Sequence, residues 1–116
     1  MIKKDIDKLP ANIRSEYRRL EVMHAEKKIQ RKAVNDFMSF TKAVWPEFIE
    51  GAHHRVIAQK FNDLAEKKIN RLIINMPPRH TKSEFASYLL PAWMVGKNPK
   101  LKIIQATHTG ELAIRF

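Results

Sequence analysis

Ile13, Tyr17, Leu20 and His24 recur at steps of three and four, the spacing that places side chains on one face of a helix. Arg14, Arg18, Lys28 and Lys32 fall on the opposite side. This pattern predicts a first helix over 12–34. Phe37, Phe40 and Val44 predict a second over 35–44, stopped by Pro46, whose ring blocks continuation. Pro46 and Gly51 bracket a loop, and Ile57, Phe61 and Leu64 mark a third helix over 53–68. The period then changes. Arg71-Leu72-Ile73-Ile74-Asn75 is a short apolar run closed by Pro77, the habit of a strand covered on both faces. Phe85, Leu89 and Trp93 return to helical spacing over 83–95. Pro91 should kink that helix because it has no amide donor, and Gly96 is placed to end it. Residues 101–107 read as a second buried strand, and 110–116 as a further helix.

Strands alternating with helices imply a parallel sheet with a right-handed crossover. The expected fold class is α/β. Residues 1–50 form an N-terminal helical region, and 51–116 the beginning of a sheet in the order strand, loop, helix, strand. Trp45, Trp93, Phe37, Phe40, Phe61 and Phe85 are expected in the core. A base-stacking platform would need them exposed among basic residues.

Composition narrows the setting. The 116 residues allow one compact domain with a modest core, and 44% apolar with 29% charged residues is globular rather than disordered. No apolar run approaches the roughly 20 residues that span a bilayer, and MIKKDIDKLP lacks the apolar stretch of a secretory signal. Cysteine is absent, so neither a disulfide frame nor a thiolate zinc site is expected. The net charge of +10 is uneven: eleven Lys/Arg against eight Asp/Glu over 1–50, eleven against four over 51–116. A basic field of this kind favours polyanions such as nucleotide phosphates or nucleic acid, or is a solvated surface.

The segment with chemistry is Met76-Pro77-Pro78-Arg79-His80-Thr81-Lys82-Ser83-Glu84, between the first strand run and a helix. A phosphate loop needs converging backbone amides, a helix start behind them, a Lys for the outer phosphates and a Ser/Thr hydroxyl for magnesium. Placement and the Lys82-Ser83 pair meet that description. Both glycines of the G-x-x-x-x-G-K-[ST] pattern are missing, with Met76 and Thr81 in their positions. Pro77 and Pro78 have no N–H, so an anion cradle must use the amides of residues 79–83. Thr81-Lys82-Ser83-Glu84 also reads as a capping box, which accounts for Thr and Glu with no ligand. The two readings are compatible. His53 and His54, adjacent on a helix, point about 100° apart and are poorly placed to ligate one ion.

The stretch RLIINMPPRHTKSEFASYLLPAWMVGKNPKLKIIQATHTGELAIRF, with GAHHRVIAQKF upstream, resembles the opening of the ATPase domain of phage large terminase subunits. In that family the loop runs two prolines, Arg, any residue, Gly, Lys, Ser. The similarity covers about residues 45–116 and departs at Thr81, where Gly is usual. It implies a P-loop-type parallel sheet, here incomplete, and an ATP-driven motor that packages double-stranded viral DNA into procapsids in the host cytoplasm. It also implies a downstream nuclease, a homo-oligomer, and a small terminase subunit and portal as partners. Carried over by position, Pro78, Arg79, His80, Thr81, Lys82 and Ser83 would bind ATP. Lys82 would reach the β/γ-phosphates, Arg79 the γ-phosphate, and Ser83 the Mg2+. His54 and Gln59 are weaker matches on the adenine side, with a packed, non-ligand role favoured for His54. After Ser83 the acids are Glu84 and Glu111. Hydrolysis also needs a second magnesium carboxylate and a water-positioning group. A truncated chain that binds but does not hydrolyse ATP is therefore expected, with an unpaired strand edge prone to association. Another nucleic-acid translocase or helicase fragment, or a non-catalytic basic module docking DNA or a partner, would share the same features.

Overall fold

A computed structural model describes residues 6–77, 79–107 and 109–115. Helix α1 spans Ala11–Asn35, α2 Phe37–Val44 and α3 Ala52–Ala65. A helix over 82–97 follows, with a π-helical turn at Glu84–Leu89 leading into α4, Leu90–Lys97, and α5 spans Gly110–Arg115. Among the described residues there is no strand. The expected α/β parallel sheet, and with it a P-loop-type strand–loop–helix–strand order, is overturned.

The reason lies in what surrounds the two apolar runs. Over 71–77, Leu72, Ile74 and Met76 pack against the core while Ile73 is 86% exposed, with Arg71, Asn75 and Pro77 also outward. The run is covered on one side, by helices, and has no strand alongside to pair its backbone. Residues 101–107 have Ile104 95% exposed and form no ladder either. Apolar runs record a tendency to be buried on both faces, and that tendency needs layers which are not built here.

Phe37 organises the core. It is fully buried and meets Phe61, Phe85 and Trp93 edge-on, at ring centroid distances of 4.9, 5.3 and 5.6 Å. Edge-to-face pairs set the positive ring edge against the negative face, adding about 0.5–1.5 kcal/mol each beyond area burial. The Trp93 indole N–H donates to the Ala33 carbonyl at 2.8 Å, joining α4 to the end of α1. Phe40 is half-buried and Trp45 exposed, so the expected aromatic core holds for Phe37, Phe61, Phe85 and Trp93.

A polar clamp sets the angle between helices. Asp36 breaks α1 from α2 with extended backbone, and its carboxylate accepts from the Ser39 amide at 2.7 Å, an N-cap for α2. Asn62 of α3 donates to the other Asp36 oxygen at 2.8 Å and accepts from the Phe37 amide at 2.9 Å. Burial pushes the Asp36 carboxyl up, but the Ser39 and Asn62 hydrogen bonds and the Lys42 charge together outweigh it and hold it below its ordinary value.

Most of α1 stands away from this core. Ala33 is its buried residue, and Ile13 and Leu20 of the apolar stripe remain about half exposed. The radius of gyration, 19.4 Å, far exceeds the roughly 13 Å of a compact chain of about 100 residues. No helix among the described residues is long and apolar enough to cross a membrane.

Pro91 acts differently from a simple kink. Lacking an N–H, it leaves the Ser87 carbonyl without its helical donor; the Gln105 side-chain amide donates to that oxygen instead. The Leu90 N–H reaches five residues back to Phe85, the π-type bond. Gly96 does not end the helix, which continues to Lys97 before Asn98 turns extended.

Candidate functional site

The turn between residues 76 and 83 holds two left-handed residues, Arg79 at φ 65° and Thr81 at φ 62°. For an L-residue this brings Cβ against the following carbonyl, and a β-branched residue there is a true outlier. Lys67, the third described residue with positive φ outside glycine, has an ordinary explanation. It follows α3, with its N–H on the Leu64 carbonyl and the Lys68 N–H on the Asp63 carbonyl, the Schellman closure of a helix end. Arg79 and Thr81 lie at a helix beginning instead. Strain placed there marks a turn held for a reason other than helix termination.

The Phe85 N–H donates to the Thr81 carbonyl at 2.9 Å, so Thr81 is the residue from which the helix over 82–97 departs. The expected capping box has no support in the backbone: Ser83 makes no side-chain cap hydrogen bond, and Thr81 is left-handed. Such a cap needs extended backbone at its first residue, which a φ of 62° denies. The first amides of a helix have no acceptor within it, and here they belong to the residues after Thr81. The Lys82 ammonium folds back across the turn to the Met76 carbonyl at 3.4 Å. Lys82 and Ser83 line a groove of about 320 Å³ with Leu72, Ile74, Ala86 and Ser87. Arg79, His80 and Ser83 are exposed, whereas Thr81 and Lys82 are half-buried. Pro78 lies outside the described residues.

The structure thus brings residues 79–83 together by sequence adjacency, and sets His53 and His54 beside His80 of that turn. His54 is 7% exposed and packs between Phe48 and Phe85, at ring centroid distances of 4.8 and 5.2 Å. Its Nδ1 accepts from the Gly51 N–H at 2.9 Å. An imidazole that accepts at Nδ1 carries its proton on Nε2, and that atom is buried with no partner among the described residues. The His53 ring lies 3.8 Å from His54, and His80 of the turn 5.9 Å from His53. Burial first, then the neighbouring His53 and His80 charges, hold the His54 pKa below its ordinary value, with Glu50 opposing. An added Cβ at Gly51 would come within 2.9 and 3.0 Å of the ring end of His53, an exposed side chain that would have to turn aside, and 3.4 Å from the His54 Nδ1.

Gln59 is not part of the cluster. It sits five residues after His54 on α3, about 140° around the helix, and is exposed with its amide 3.3 Å from Asp63. Phe48 and Asn62 were missed by sequence reading. Neither lies on a periodic stripe, though an Asn on the polar edge of a buried helix is a weak signal for such a clamp. Among the described residues no group of three His, Cys, Asp or Glu side chains is arranged to hold a metal ion. No protein-family model matches this chain, and neither a curated protein nor a solved structure does, so the chemistry of the turn carries the functional reading.

Proposed function

We propose that this chain is the nucleotide-binding part of an ATP-driven DNA-packaging motor of the phage large-terminase kind, with the phosphates of Mg-ATP held at residues 79–83. The observation that carries it is the turn itself: a strained, left-handed backbone at Arg79 and Thr81 feeding a helix whose first residues are Lys82 and Ser83. Thr81, which occupies the usual glycine position of the family that this segment resembles, adopts the backbone conformation for which glycine is ordinarily selected. This reading rests on the loop and not on a sheet.

In this reading Lys82, now on the Met76 carbonyl, would hold the outer phosphates, Arg79 the terminal one, and the Ser83 hydroxyl would be the chain's contact to the magnesium. Magnesium brought with the nucleotide neutralises phosphate charge. The chain's own residues bind and orient. The acids after Ser83 are Glu84 and Glu111, and hydrolysis is not assigned to either.

The test is Lys82→Ala. A ligand present at 100 times its Kd stabilises the fold by about 2.7 kcal/mol. Wild-type protein should show a magnesium- and ATP-dependent rise in melting temperature that the variant lacks. The two should melt alike without nucleotide. A wild-type melting point unmoved by ATP at millimolar concentration sinks the proposal.

A second reading is favoured by α1. Arg18, Arg19, Lys27, Lys28, Arg31 and Lys32 are exposed on it and take part in no ion pair among the described residues. Like charges four apart, such as Lys27 with Arg31 and Lys28 with Lys32, weaken a helix in water, and a polyanion would relieve them. A non-catalytic DNA-docking module would show affinity falling steeply with salt, by about 0.9 per phosphate contact on a log–log plot, and no response to ATP.

A further inference from the structure

We propose that His54 is a protonation-controlled latch, which when neutral holds the start of α3 against the helix leaving the 79–83 turn and when protonated lets that turn go. Three contacts converge on its ring. Its Nδ1 lone pair accepts the Gly51 N–H at 2.9 Å, a bond available to neutral imidazole alone. One ring neighbour, 5.2 Å away, is Phe85, whose own amide is bonded to the strained Thr81 at 2.9 Å. The other side meets His53 at 3.8 Å, and His53 in turn meets His80, the residue between Arg79 and Thr81, at 5.9 Å. The ring therefore joins the α3 cap, the core and the turn.

Protonation breaks all three connections. Two N–H donors would face one another between Gly51 and Nδ1. A charge would be enclosed by the Phe48 and Phe85 rings, where water cannot solvate it. The same charge would stand beside His53 and near His80, whose charges oppose it. The charged groups facing His54 are Glu50 from the preceding loop, His53 on its own helix and His80 from the turn. Glu50 favours the charged ring, but its carboxylate is shared with Lys42 and Arg55. The relaxed state turns the imidazolium out to solvent. Phe85 keeps Phe37 and Phe48 but loses its contact with His54 on the side facing α3, which loosens the helix start and lets the strain at Thr81 relax. The consequence for anion binding rests on the function proposed above; the latch itself does not.

The experiment has two arms, run at pH 7.5 and pH 5.5 on wild type and His54→Gln. Glutamine can still accept the Gly51 N–H through its side-chain oxygen but does not titrate. In the first arm, without nucleotide, amide hydrogen exchange at Gly51 and Phe85, whose N–H groups are bonded to His54 Nδ1 and the Thr81 carbonyl, should, corrected for intrinsic rate, accelerate at least tenfold at the lower pH in wild type and stay unchanged in the variant. Equal protection at both pH values in wild type, or equal acceleration in the variant, overturns the latch. In the second arm, the affinity for Mg-ATP should fall with pH more in wild type than in His54→Gln, whose comparison cancels the nucleotide's own protonation. Release in the first arm with no ATP binding at either pH refutes the nucleotide reading and leaves the latch standing. Should the variant not fold, the NMR titration of the wild-type His54 ring must share its midpoint with the loss of Gly51 protection; separate midpoints refute the proposal. His80→Gln, which removes one repelling charge, should raise that midpoint.

Discussion

Thr81→Gly is the sharpest test of the strained turn. Left-handed backbone costs an L-residue about 1–2 kcal/mol, and Thr81 sits there at φ 62° with a branched side chain whose hydroxyl makes no cap bond. Glycine removes that cost. It also adds freedom to the unfolded chain, an offset of about 0.5–1 kcal/mol. The difference leaves a net stabilisation of about 0.5–1 kcal/mol, a rise in melting temperature of roughly 2–6 °C for a chain of this size. Thr81→Ala is the necessary comparison. Alanine keeps the Cβ and so keeps most of the strain, and loses a hydroxyl with nothing to hold. It should lie within about 0.5 kcal/mol of wild type. Urea unfolding followed by fluorescence of the buried Trp93 and by circular dichroism separates the two variants. If Thr81→Gly unfolds at a lower urea concentration than Thr81→Ala, the backbone at residue 81 is not left-handed, and the argument from strain to phosphate binding is lost with it.

Three other outcomes follow from the same structure. Asn62→Ala removes both hydrogen bonds of the clamp joining α3 to the α1–α2 break and leaves the Phe37 amide without that acceptor, for an expected loss of about 2–4 kcal/mol by denaturant titration. Gly51→Ala brings a methyl within 2.9 Å of the far end of the exposed His53 ring, which can turn aside, so the loss should stay within about 1 kcal/mol and be recovered in a Gly51→Ala/His53→Ala double variant. Asp36 has a folded-state pKa below its unfolded value of about 3.8, so its contribution is fully present above that value and is lost as pH falls through the lower, folded one. Acid titration of Asp36→Asn should therefore lack the part of the stability loss seen in wild type below about pH 4.

The positions of α2, α3 and the helix over 82–97 were legible because each buries one face, and burial of a face writes a period into the chain. Ile57, Phe61 and Leu64 on α3, and Phe85, Leu89 and Trp93 further on, were read correctly for that reason. The break at residue 36 was read to within a residue or two, because Phe37 opens a new stripe. The turn at 79–83 stood out because a Lys-Ser pair ahead of a helix is a local signal that needs no knowledge of the rest of the chain. Its competing reading as a capping box could be decided only by the sign of φ at Thr81.

What the chain alone determined, then, is the set of segments that want to be helical, the charge they carry, and the one segment whose residue types suit phosphate. Tertiary structure decided everything that depends on neighbours. Leu72, Ile73 and Ile74 read as a doubly covered strand, yet a strand exists only where another backbone lies alongside to pair with it, and none does among the described residues. The stripe of Ile13, Tyr17 and Leu20 promised a buried face, yet α1 projects from the core: its first turns meet the residues just before them, where Arg14 holds the Asp7 and Leu9 carbonyls, rather than the core helices. His54, Phe48 and Asn62 acquired their roles from residues as far as 37 positions away, as in the contact of Phe48 with Phe85. Periodicity is a property of one segment, whereas pairing, burial and the surroundings of a titrating ring belong to several at once, and only folding brings those together.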